Sequence, residues 1–79
     1  MKIYILHYSH MDSEGNLSID CDRFSTIQEA KDAQTNLNNI FKKTVNQNPE
    51  NIIFEEIGTF NRLEIKGSLA EIQSHIEEF

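Results

Sequence analysis

Residues 25–46, STIQEAKDAQTNLNNIFKKTVN, carry the one long periodic pattern in the chain. Ile27, Ala30, Ala33, Leu37, Ile40, Phe41 and Thr44 or Val45 recur at helical spacing and so make one apolar stripe. Ser25 with Gln28 and Thr26 with Glu29 are overlapping capping signatures, whose side chains can satisfy backbone N–H groups that have no partner inside a helix. Lys42 and Lys43 suit the negative pole of the helix dipole, and Asn46-Gln47-Asn48-Pro49 ends the pattern because proline cannot continue the hydrogen-bond ladder. The helix should be about 30 Å long, enough to cross a four-stranded sheet. Its polar side, with Gln28, Glu29, Lys31, Asp32, Asn36, Asn38 and Asn39, is expected to face water.

Upstream of the helix, Ile3 to Ser9 reads as a strand with both faces occupied, Ile3, Ile5 and His7 on one side and Tyr4, Leu6 and Tyr8 on the other. A polar connection, His10 to Asn16, contains glycine and asparagine and implies a hairpin. Leu17 to Arg23 then alternates, with Leu17, Ile19 and Cys21 assigned inward and Ser18, Asp20 and Asp22 outward. Downstream, Asn51 to Ile57 is a β-branched and aromatic run, and Gly58-Thr59 turns it into Phe60 to Lys66 as a second hairpin. Gly67-Ser68 is expected to open a short helix, with Ser68 and Glu71 as capping box and Leu69, Ile72, Ile76 and Phe79 as its apolar stripe.

The expected fold is therefore α+β with element order ββαββα, a four-stranded antiparallel sheet with one long and one short helix packed on one face. The repeated order ββα raises a pseudo-repeat, although the two halves share too little sequence to assert duplication. Seventy-nine residues make one domain, 1–79. Thirteen acidic against seven basic residues leave a net charge of −6, which repels phosphate backbones and favours basic partners, so direct nucleic-acid binding is disfavoured. No run approaches the roughly 20 apolar residues needed to span a bilayer. The single cysteine, Cys21, cannot form an internal disulfide, and the start of the chain has too short an apolar run for a signal peptide. A cytoplasmic location and no membrane association are expected.

If Ile3, Ile5, Leu17, Ile19, Cys21, Leu63 and Ile65 face the helices, alternation places Tyr4, Leu6, Tyr8, Ser18, Asp20, Asp22, Phe60, Arg62 and Glu64 on the uncovered face. Aromatics on an open sheet could serve as an RNA-stacking platform, but such platforms are ringed by Lys and Arg, whereas carboxylates dominate here. Tyr4, Tyr8, Asp20, Asp22, Phe60, Arg62 and Glu64 are instead the candidate residues for docking a basic protein surface, or for self-association as a homodimer. The same residues also suit an ordinary solvated sheet face, because scattered surface aromatics are common.

Catalytic and metal chemistry is poorly served. His7 and His10 alternate to opposite sides of a strand, so a metal site with Asp12 and Glu14 requires the chain to turn between them. Asp12, Glu14 and Asn16 are spaced as in a calcium loop, but Leu17 stands where that loop needs glycine and Arg23 where it needs glutamate. Cys21, assigned inward, reads as a small apolar residue rather than a nucleophile paired with His7. His75, between Ile72 and Ile76, reads as a boundary residue. No phosphate loop or nucleophile elbow occurs. No cofactor, metal or catalytic residue is assigned.

The leading expectation is a non-enzymatic protein-binding module, a regulator or inhibitor. Its sharper version is a nucleic-acid mimic of the phage-inhibitor type, presenting Asp20, Asp22, Glu55, Glu56 and Glu64 to a basic channel. The alternatives are a small-ligand or enzymatic domain around His7 and His10 at an oligomer interface, and a homo-oligomeric structural protein that buries its open sheet face.

Overall fold

The long amphipathic segment forms α1, Ile27–Val45, in a computed structural model that describes residues 1–79. Of the two capping signatures the fold selects Thr26, whose Oγ1 accepts the Glu29 N–H at 3.1 Å and donates to Glu29 Oε1 at 3.0 Å. The helix ends one turn before Pro49. Asn46 adopts a left-handed conformation (φ 46°), and its N–H closes on the Lys42 carbonyl at 3.2 Å. Pro49–Asn51 then forms a single 3-10 turn leading into the next strand. No helix is long and apolar enough to cross a membrane.

Around α1 lie β1 (Tyr4–Met11), β2 (Leu17–Phe24), β3 (Ile52–Ile57), β4 (Phe60–Ile65) and β5 (Glu71–Glu78). All pairings are antiparallel, in one sheet of order β2-β1-β5-β4-β3. The fold is α+β, but the expected ββαββα with a four-stranded sheet and two helices is corrected to ββαβββ, five strands and one helix. The pseudo-repeat goes with it.

The correction falls on the last stretch. Ile72 and Ile76 are four residues apart, a spacing that satisfies both the helical and the strand period. Residue 74 separates the two readings: Ser74 is buried with Ile72 and Ile76, while Gln73 and His75 are exposed. Leu69 and Phe79, the outer members of the supposed stripe, are exposed. The Ser68 hydroxyl accepts the Ala70 N–H at 3.1 Å, holding the turn between β4 and β5 rather than capping a helix with Glu71. An isolated helix this short is marginal in water, whereas a central strand pairs its backbone with β1 on one side and β4 on the other.

The same strand sets the facing of the first hairpin. β5 presents Ile72, Ser74 and Ile76 to α1, and its register with β1, Leu6 opposite Ile76 and Tyr8 opposite Ser74, forces the even residues of β1 to that side. Tyr4, Leu6, Tyr8 and His10 therefore face the helix, and by register so do Ser18, Asp20, Asp22 and Phe24 of β2. The expected facing of this hairpin is inverted: Ile5, His7, Leu17, Ile19 and Cys21 lie on the open face. β4 keeps its expected facing, with Leu63 and Ile65 buried beneath α1.

Two apolar clusters make the core, one of Phe41, Leu63, Ile65, Ala70 and Ile72, the other of Leu6, Ala30 and Ile76, with half-buried Leu37 packed against both. Between them α1 buries two amides. Gln34 Nε2 donates to Ser74 Oγ at 3.0 Å and to the Thr59 carbonyl at 2.9 Å. Asn38, expected to face water, is buried, and its Nδ2 meets the Asn61 side-chain oxygen at 3.3 Å.

Candidate functional site

The contact face of α1 is turned toward Gln34 and Asn38, which leaves the other flank of its apolar stripe uncovered. Ile40 is 52% exposed, and β2 is exposed along nearly its whole length. Between them runs a groove of about 310 Å³, walled by Leu37, Ile40 and Phe41 of α1, Tyr8 and His10 of β1, and Ser18 and Asp20 of β2. The His10 ring meets Phe41 edge-on, with centroids 5.7 Å apart. The floor is apolar and the polar groups gather at the β2 rim, the usual disposition of a recognition groove.

Tyr8 joins floor and rim. Its hydroxyl donates to Asp22 Oδ2 at 3.4 Å, and burial, then the negative charges of Asp22 and Asp20, push its phenol above the ordinary 10.0. It therefore stays a neutral donor. Asp20 turns back on its own strand, where Oδ1 accepts the Cys21 N–H at 2.8 Å. Neither aspartate pairs with a cation: the ion pairs of the molecule join Lys2 to Glu78 and Arg62 to Glu55, Glu64 and Glu71.

The seven residues expected on one face divide into two groups. Tyr4, Tyr8, Asp20 and Asp22 stand together on the helix side, Tyr4 reaching Glu78 Oε1 at 3.4 Å. Phe60, Arg62 and Glu64 lie on the open face. There Arg62 is held by Glu64, by Glu71 at 3.3 Å and by Glu55 at 3.5 Å, so its charge is already matched. Glu64 first, then the other two carboxylates, hold its guanidinium even more firmly protonated than usual.

The candidates for other chemistry are also dispersed. His7 and His10 point to opposite faces. His7 stacks on His75 at 4.7 Å, and its Nε2 lies 3.0 Å from Glu77 Oε1. Cys21, expected to be buried, is exposed across from His7, with no hydrogen bond between them. Asp12 is spent on the β1–β2 turn, accepting the N–H groups of Glu14 and Asn16, each at 2.9 Å. No three His, Cys, Asp or Glu side chains are arranged to hold a metal ion.

From the sequence, Leu37, Ile40 and Phe41 are expected only in the apolar stripe packed on the sheet, and His10 only in an alternative site with His7. The available signal was the width of the α1 stripe, since Ile40 and Thr44 extend it beyond what one packed face uses. Comparison with known proteins finds no family model, no curated protein and no solved structure that matches this chain.

Proposed function

We propose that the protein is a small, acidic, non-enzymatic protein-binding module, a regulator or inhibitor acting in the cytoplasm, that docks a basic protein at the β2 edge. The observation that carries this reading is Asp20 on the rim of an apolar groove, with Asp22 two residues further along the same face of β2 and neither matched by a cation. An apolar floor supplies affinity through burial, and rim carboxylates select cationic partners. The wider nucleic-acid-mimic version has less support. Asp20 and Asp22 lie on β2 and Glu55 and Glu56 on β3, at opposite edges of the sheet, so the five carboxylates do not form one row.

The test is capture of binding proteins from host lysate on immobilised wild type and on an Asp20→Asn, Asp22→Asn double variant, followed by titration of the identified partner at low and high salt. Capture of a basic protein by wild type, weakened in the variant and by salt, is the expected outcome. Equal capture by both forms would place the working surface elsewhere.

A second reading, a homo-oligomer that buries its open face, is favoured by Ile19 and Ile57, 77% and 72% exposed on that face. Sedimentation at micromolar concentration decides it: a dimer dispersed by Ile57→Lys supports it, and a monomer ends it.

A further inference from the structure

We propose that the partner binds by β-strand addition: an extended basic segment pairs antiparallel with β2 as a sixth strand and sets one apolar side chain in the groove beside α1. This deepens the docking reading and rests on it.

The backbone of β2 is suited to the role. Its register with β1 runs unbroken from Met11–Leu17 to Tyr4–Phe24, without a bulge, and the strand contains no proline. The outward groups follow from one hydrogen bond. The Cys21 N–H is taken by Asp20 Oδ1, so it points away from β1. In an antiparallel ladder the direction alternates, hence Leu17, Ile19, Cys21 and Arg23 all turn their N–H and C=O groups to the free edge. Only the Cys21 N–H is covered, and by a side-chain carboxylate of its own strand.

The other edge of the sheet lacks the accompanying groove. Beside β3 the hollow on the helix side is lined by Lys31, Gln34, Glu56 and Asn61 and by no apolar residue. At β2, strand pairing and apolar seating are available together, which is the arrangement by which sheet edges take up peptides.

Side-chain alternation then specifies the occupant. Residues of the incoming strand opposite Asp22 and Asp20 project to the helix side, and there a lysine or arginine meets a carboxylate at cross-strand distance. The residue opposite Ser18 projects over the groove and is aliphatic or aromatic. Read from its N-terminus, the segment is basic, any, basic, any, apolar. Charge also disfavours a second copy paired in the registers that overlap the two strands most. Two β2 edges side by side would confront the aspartates of one with those of the other, and a neutral strand would free Asp20 from Cys21 without offering it a partner.

A synthetic peptide of the pattern lysine, valine, lysine, valine, leucine, with capped ends, is titrated into the protein while amide exchange is followed by NMR. The expected result is that the Ile19 and Arg23 amides slow at least about tenfold at saturation, and that Asp20→Asn with Asp22→Asn weakens the peptide about tenfold. Ile19→Pro, which deletes an outward N–H without touching the β1 ladder, is expected to abolish binding while leaving the far-UV circular dichroism native. Binding that responds to the aspartates while the outward amides keep exchanging freely would overturn strand addition and leave the docking reading intact. Absence of saturable binding would overturn the inference, and the lysate capture would then decide the docking reading separately.

Discussion

The two flanks of α1 meet the same sheet in opposite ways. Toward β4 the seam is closed by amides, Gln34 on Ser74 and Thr59, and Asn38 on Asn61. Toward β2 it is left open, with half-exposed Ile40 above a groove rimmed by Asp20 and Tyr8. The difference teaches that polarity does not report exposure in this helix. Its buried flank contains amides whose hydrogen bonds fix one register against the sheet, and its exposed flank contains an isoleucine with no intramolecular partner large enough to cover it.

The most severe way to break the comparison is to remove what both flanks share. Leu37 touches both core clusters, so Leu37→Asp places an unpaired charge beneath the helix. The cost is comparable to the whole stability of a small domain, about 5 kcal/mol, and loss of the native circular dichroism spectrum is the expected outcome.

Gln34→Ala tests the closed seam alone. It leaves the Ser74 hydroxyl and the Thr59 carbonyl without the Gln34 donor, and urea unfolding should show a loss of about 1–3 kcal/mol. Ile40→Ala, on the open seam, should cost no more than about 1 kcal/mol, because half of that side chain already meets water. Its effect should instead appear in affinity for the basic peptide. Equal destabilisation by the two variants would mean that the seams are not different in kind.

The mildest effect concerns the turn at the end of the β1–β2 hairpin, which carries the open rim. The Asn16 N–H and side-chain amide, then the Glu14 N–H, hold Asp12 below its ordinary 3.8. The folded state thus favours the carboxylate. Its contribution is fully present above the unfolded value of 3.8 and is lost as pH falls through the lower folded value. Asp12→Asn should flatten the acid limb of the stability profile measured by thermal unfolding below pH 4.

Several elements were legible because their signals are local. The α1 stripe, the Thr26–Glu29 cap and the Gly58-Thr59 hairpin need only neighbouring residues to be read. The candidate site was legible only in part. Tyr4, Tyr8, Asp20 and Asp22 do share a side, but Phe60, Arg62 and Glu64 do not join them. β1 carries apolar residues on both faces, so its alternation is consistent with either orientation, and the choice rests with β5. That strand is itself ambiguous in the sequence, because Ile72 and Ile76 fit two periods and only the burial of Ser74 between them separates the two.

By itself the sequence determined one amphipathic helix, two hairpins and an acid excess, all of which depend on short-range spacing or on composition. Tertiary structure alone decided that residues 71–78 become the central strand, that the first hairpin turns its tyrosines and aspartates toward α1, and that a groove opens at the β2 edge. The physical reason is common to all three. A strand gains its backbone partners and its buried face only from segments distant in the chain, so its facing is a property of the assembled sheet.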